Sequence, residues 1–311
     1  MFDCKTRLYS SFDGQPLITL WNTLRTSLAR GVIIGLLLLL GGCSMLRVGY
    51  NQGPQLVWWW LDGYVDFSSE QAPHAKEAIR QWFDWHRTTQ LPEYAAWLST
   101  LRSQVGDPVT PAQVCRWSEE LRNIVAPARD HALQLSAPLV LGLGETQWRH
   151  IEQHYAKGNE EFRRDYLQPH AEERLEASIK RTVKRTENIY GSIDDAQQRL
   201  IATSLATSPF NAEAWLAERQ RRQRDTLLTL RRLATAPTEA EQVTTALRML
   251  VGHVEHSIDA DYRDYQVRLT EYNCAFVARV HNSTSSIQRQ HAHDKLKDWE
   301  ADLRKLATHT R

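Results

Sequence analysis

The stretch QHAHDKLKDWEADLRKL, residues 290–306, decides the fold. Its apolar side chains, Ala292, Leu296, Trp299, Leu303 and Leu306, step by four, three, four and three residues, with charged residues filling most places between. An α-helix turns once in about 3.6 residues. That spacing therefore lays the five on one stripe and turns the charges to water. Ala75, Ile79, Trp82, Trp85 and Thr89 repeat the rhythm. Alternating β-branched runs are scarce, and no Asn-Gly or Asp-Gly turn joins two of them.

Helix starts share a form. Ser68–Gln71, Thr110–Gln113, Thr238–Glu241 and Ser285–Gln288 each set a hydroxyl three residues before an amide or carboxylate. In a capping box these two side chains satisfy each other's free backbone N–H groups. Pro92 and Pro111 suit a first helical turn, and Asn211 suits a cap. The spacing predicts helices over 54–66, 70–89, 92–104, 111–134, 145–167, 170–190, 194–206, 212–234, 239–257, 260–281 and 286–307. The fold class is all-α: a multi-helix bundle or helical array of about ten helices, with short loops and antiparallel neighbours. No fixed-period repeat is visible. SAPLVLGLGE (136–145) reads as a hinge loop between halves 54–135 and 145–311, with one compact domain as the alternative.

Upstream of the helices lies an apolar run, Val32–Leu40, ending in Gly41, Gly42 and Cys43. It is shorter than the roughly 20 residues a membrane span needs, and matches a signal-peptide core preceded by Arg25 and Arg30. Leu40-Gly41-Gly42-Cys43 resembles the bacterial lipobox. That resemblance implies cleavage before Cys43, a diacylglycerol thioether on its sulfur, and acylation of the new N-terminus by a chain such as palmitate. Several chains, at about 0.8 kcal/mol per buried CH2, anchor stably where one does not. In such lipoproteins an Asp after the cysteine favours inner-membrane retention, so Ser44 implies the periplasmic face of the outer membrane. The expected layout is a signal peptide over 1–42, an acylated tether over 43–53, and a helical periplasmic domain over 54–311. A buried core helix that ends in cysteine is the competing reading.

The whole chain holds 38 Lys and Arg against 37 Asp and Glu. Removing residues 1–42 takes four basic and two acidic side chains, leaving 34 against 35. That balance lacks the basic excess of a nucleic-acid binder. With Cys4 removed and Cys43 used by lipid, Cys115 and Cys274 remain. In an oxidising compartment they form either a disulfide or two separate buried thiols.

PQLVWWWLDGYVDF (54–67) places Trp58, Trp59 and Trp60 about 100° apart in turn, so they cannot share a face. With Tyr64 they belong either to a core helix or to a patch facing membrane or partner. Asp62 and Asp66, one turn apart, form either a carboxylate pair for acid–base work or a solvated edge. Trp82, Trp85, His86, Arg87, Tyr94 and Trp97 outline either an aromatic pocket for a lipid or other small amphiphile, or core.

His150 and His154 sit at the spacing of the zincin H-E-x-x-H, but Glu152 is one place late, turned about 100° from where a general base belongs. His253 with His256, and His291 with His293, lack further ligands at metal spacing, so no metal or other cofactor is expected. The basic runs 180–185 and 218–232, with Arg221, Arg224, Arg231 and Arg232, suit anionic lipid or glycan. Equally, they are solvated faces with ion pairs such as Glu176–Lys180 and Glu218–Arg222. No Gly-x-Ser-x-Gly elbow, Ser-x-x-Lys set or phosphate-cradling glycine loop occurs.

Tyr50-Asn51, WWLDGYVD (59–66), Gln71, WHRTTQLPEYAAWL (85–98), RTENIYG (185–191), Gln198-Arg199 and NSTSSIQRQHAHDKL (282–296) resemble a family of uncharacterised proteobacterial lipoproteins, domain of unknown function 6279. The resemblance implies a lipoprotein and no particular activity. The expected role is an interaction, scaffold or chaperone-like module of the cell envelope, tethered to the membrane and binding an envelope protein. A lipid-binding protein, or a hydrolase using Asp62 and Asp66, is the alternative.

Overall fold

The computed structural model describes residues 45–236 and 238–308, and every regular element among them is helical. In chain order they are α1 (Met45–Asn51), α2 (Gly53–Val65), α3 (Ala72–Trp85), a π-turn (His86–Gln90), α4 (Leu91–Gln104), α5 (Pro111–Leu141) and α6 (Glu145–Tyr166). Then follow α7 (Ala171–Tyr190), α8 (Asp195–Ala206), α9 (Ala212–Thr235), α10 (Ala240–Glu255), α11 (Ala260–Asn282) and α12 (Ser286–Thr308). The signal peptide expected over 1–42 and the acylation expected at Cys43 lie outside the described residues. No described helix is long and apolar enough to cross a membrane.

The described residues from Leu46 onward form one compact unit. Its spine is α5, whose 31 residues extend about 46 Å. Around one end, Val65, Ala137, Val140, Trp148, Ile151, Leu227, Leu230 and Val243 bring α2, α5, α6, α9 and α10 into one core. Towards the other end, Val109, Val114, Cys274 and Ala278 join the start of α5 to α11. The stripe on α12 packs as its spacing predicts: Ala292, Leu296 and Leu306 are buried, and Leu296 meets Leu98 and Val105 of the α4 region.

Three expectations are corrected. The 136–145 loop is helix as far as Leu141, despite Pro127 and Pro138 within α5. Each proline removes one backbone donor. Ala137 and Val140 are buried in the core, and that packing holds the helix past the point where propensity would end it. The tether is helical from Met45: Arg47 pairs with Asp302 at 2.9 Å, and the Tyr50 ring meets Phe83 edge-on at 5.4 Å. The Thr238 cap moves one residue on, where the Glu239 N–H donates to Gln242 Oε1 at 3.1 Å.

Between α3 and α4 the chain does not break. The Leu91 N–H reaches back to the His86 carbonyl, a five-residue step. The extra residue rotates the stripe, so Thr89 is exposed while His86 and Gln90 turn inward.

Two helix starts, each closed by a glutamine that accepts from the cap N–H, are locked to each other, and the arrangement is built twice. Gln71 Oε1 accepts from the Ser68 N–H at 3.0 Å, and Gln147 Oε1 accepts from the Gly144 N–H at 2.9 Å. Each glutamine then donates across: Gln71 Nε2 to the Gly142 carbonyl at 2.5 Å and Gln147 Nε2 to the Asp66 carbonyl at 3.3 Å. The two amides also bond one another, at 3.3 and 2.6 Å. At the α8 and α12 starts the same bonds recur. Gln197 and Gln288 accept from the Asp194 and Ser285 N–H groups, and donate to the Ser283 and Ser192 carbonyls at 2.9 and 2.8 Å. Their amides bond at 2.8 and 2.9 Å. In both junctions a tyrosine, Tyr64 or Tyr190, precedes the first glutamine by the same seven residues. Asp66 (φ 62°) and Gly191 (φ 78°), the positive-φ residues among those described, end the helices that lead in. Four helix N-termini, which would otherwise present free N–H groups, are thus closed in pairs. This is an internal correspondence of two junctions without a fixed sequence period.

Candidate functional site

The outer face of α2 is the first candidate. Gln55, Leu56, Val57, Trp59, Trp60 and Gly63 are its exposed residues, and none is charged. Trp59 and Trp60 are each 62% exposed, whereas Trp58 is 8% exposed and packs on Phe67 with ring centres 5.9 Å apart. The three tryptophans thus divide between core and surface, as their 100° steps require. The inner face is pinned. Gly53 lies so close to the Phe83 ring that a Cβ there would come within 2.6 Å of it. Tyr64 packs on His154 at 3.9 Å, and His150 Nε2 lies 3.0 Å from the Gly63 carbonyl. The two histidines with zincin-like spacing therefore brace α2. No group of three or more potential metal ligands occurs among the described residues.

Asp62 and Asp66 serve the end of α2. Asp62 Oδ1 accepts from the Phe67 N–H at 3.3 Å, and the Asp62 carbonyl accepts from the Asp66 N–H at 2.7 Å.

The second candidate is the aromatic set around the π-turn. The structure brings Trp82, His86 and Tyr94 together: Trp82 stacks on His86 at 4.3 Å, and Tyr94 meets His86 edge-on at 5.4 Å. Trp85 turns to His131 at 4.3 Å, and Trp97 joins the α4–α12 core, with its Nε1 donating to Glu120 at 3.3 Å. Arg87 donates to the Leu306 carbonyl at 2.9 Å and to Asn51 at 3.0 Å, which ties α1 and α12 to the turn. The rings grouped in sequence as a pocket wall thus stack on one another or on separate neighbours.

Tyr50, whose place in this set the sequence did not disclose, lies 2.9 Å from His86 Nδ1. Burial pushes its hydroxyl up to about 12 and the His86 ring down to about 4. The hydroxyl therefore stays a donor and the ring a neutral acceptor near pH 7. Tyr190 and His281, also unread in sequence, repeat the pair at 2.9 Å, with His281 Nε2 donating to the Asp107 carbonyl at 2.9 Å. Burial lowers the His281 pKa as well.

A pH dependence follows. Both rings titrate lower in the folded chain than in the unfolded one; for His86 the unfolded chain therefore holds more protons between the ordinary histidine value of about 6.5 and about 4. Stability is full above about pH 6.5 and falls as pH drops through that window. His86 contributes on the order of 2 kcal/mol, a figure discounted for partial solvent screening. Urea unfolding between pH 4 and 7 checks this: His86→Gln should flatten the slope, and an unchanged slope would contradict the assignment.

Cys115 and Cys274 are joined as a disulfide with Cα atoms 5.4 Å apart. In the basic run of α9, Arg221 pairs with Glu218 and Asp225 at 2.7 and 2.5 Å, and Arg231 with Glu152 at 2.9 Å. Glu218 and Arg222 lie 3.9 Å apart.

A family model described as "Family of unknown function (DUF6279)" matches residues 63–263. No curated protein and no solved structure matches the chain.

Proposed function

The chain belongs to that family of unknown function, DUF6279, and from this premise we propose that it is a membrane-tethered helical interaction module of the bacterial cell envelope. Acyl chains on Cys43 hold it at the outer membrane, α2 rests its outer face in the interface, and the remaining helix faces meet an envelope protein. The observation that carries this reading is the uncharged outer face of α2, with Trp59 and Trp60 each 62% exposed. Tryptophan favours the membrane–water interface, where its ring is half in hydrocarbon and its N–H is wet. The face begins about a dozen residues after Cys43, so anchor and patch reach the same bilayer. The Cys115–Cys274 bridge is in keeping with an oxidising compartment such as the periplasm. Packed cores together with an exposed apolar face favour an interaction module over a carrier with a continuous apolar cavity.

The test uses residues 43–311 with Cys43→Ser, a form without the apolar run 32–40 and without acyl chains, so that its residual binding to phosphatidylglycerol-containing vesicles reports the patch. Burying two indole faces stabilises the bound state by about 2–4 kcal/mol. Adding Trp59→Ser and Trp60→Ser should weaken vesicle binding at least tenfold with the melting temperature retained. Equal binding by both forms would remove α2 from the membrane contact.

A further inference from the structure

Helix α7 has 20 residues, none of them buried. One flank opens on a cleft of about 840 Å3 that α7 shares with the α8–α9 connection, α9 and α11. Arg174, Arg181 and Arg185 line it. Their spacings of seven and eleven residues set them within about 40° around the helix and about 16 Å along it. They form one row of guanidinium groups.

None of the three forms an ion pair with a carboxylate among the described residues. Arg174 donates to the Gln168 carbonyl at 2.5 Å and the Pro169 carbonyl at 3.3 Å. Arg181 donates to the Asp165 carbonyl at 3.2 Å and Ser178 Oγ at 3.1 Å, and sits 4.4 Å over the Tyr166 ring. Carbonyl contacts position a guanidinium and leave its charge uncompensated, and with five N–H donors each group keeps several to spare. Glu213 also lines the cleft, so positive charge prevails along the α7 side. The remaining wall is mixed: Phe210, Trp215 and Leu269 supply apolar surface beside the polar Ser208, Asn211 and Asn273. Trp215 is fixed by stacking on Phe162 at 4.3 Å.

We propose that this cleft binds one anionic amphiphile. A phosphate or carboxylate pairs with the Arg181–Arg185 part of the row, where the planar forks bind oxyanions bidentately. The apolar body lies against Phe210, Trp215 and Leu269. The volume falls within the range of small-ligand sites, and the cleft sets an apolar patch beside a charged row, the two surfaces an amphiphile needs. The proposal needs neither acylation nor membrane contact. It goes beyond the tethering role and places the ligand away from the aromatic set around His86.

The test is calorimetric titration of residues 43–311 carrying Cys43→Ser, so that neither an acyl chain nor the apolar run 32–40 competes. The probes are lysophosphatidylglycerol, lysophosphatidylcholine and glycerol 3-phosphate, each below its micelle threshold where it has one. Lysophosphatidylglycerol should bind at least tenfold more tightly than either of the others. Arg185→Glu, at an exposed position, and separately Arg181→Gln should each weaken that binding at least tenfold with the thermal midpoint retained. Equal binding of lysophosphatidylcholine would overturn recognition of the anion. Equal binding of glycerol 3-phosphate would reduce the site to a phosphate site without a place for a chain. No binding of lysophosphatidylglycerol, or binding indifferent to both substitutions in folded protein, would overturn the cleft itself.

Discussion

Opening the Cys115–Cys274 bridge, by reductant or by the double change Cys115→Ser and Cys274→Ser, lowers the unfolding free energy by about 3–5 kcal/mol. The two cysteines are 159 residues apart in sequence, so the bridge closes a very long loop in the unfolded chain. Loop-closure entropy grows with the logarithm of length, and at this length it reaches about 5 kcal/mol before any native strain is subtracted. The folded state should change little. Val109, Val114 and Ala278 still surround the site, and Asn282 still grips the Val109 N–H at 2.8 Å and its carbonyl at 2.9 Å. Urea unfolding with and without reductant measures the difference. Coincident curves would mean that the bridge constrains nothing the fold does not already hold.

Gln147→Leu should cost about 2–4 kcal/mol, more than an ordinary surface change. Its side chain closes the N-terminus of α6, holds the Asp66 carbonyl, and bonds the Gln71 amide in both directions. Leucine fits the volume and satisfies none of these groups. Leaving buried donors and acceptors unmade is costlier than the net worth of the bonds. Gln197→Leu should act alike at the second junction, because Gln197 is equally buried and makes the same set of bonds. Gln147→Glu separates shape from chemistry. The carboxylate keeps the capping bond to Gly144 and loses both donated bonds, so its loss should fall between wild type and leucine. Thermal melts of these variants check the order. A leucine variant within about 0.5 kcal/mol of wild type would contradict the locked-junction account.

Sequence disclosed the helices because apolar spacing and capping chemistry are local. Thr110 and Gln113 form the box their spacing predicts, and Asn211 caps α9 through the Ala214 N–H. It disclosed two members of the paired junctions, Ser68–Gln71 and Ser285–Gln288. Their partners start at Gly144 and Asp194, one with no side-chain oxygen and one with a carboxylate, and pairing depends on contacts 76 and 91 residues apart. The tail of α5 escaped because Pro138 argues locally for an end, whereas burial of Ala137 and Val140 is a tertiary fact.

For α2, periodicity required the tryptophans to face different ways. Which one enters the core depends on α3, whose Ala75, Ile79 and Phe83 receive Trp58. Two members of the guanidinium row, Arg181 and Arg185, lie in the basic run 180–185, which does not reach Arg174. That Arg181 and Arg185 face a cleft, rather than acids on their own helix, follows only from where α9 and α11 lie.

The most direct test of the tethered account is the mass of the first tryptic peptide from membrane-bound protein. The account predicts residues 43–47, CSMLR, with a diacylglyceryl group on the Cys43 sulfur and an acyl chain on its amine. An intact, unmodified peptide spanning residues 31–47 from the same fraction would contradict it.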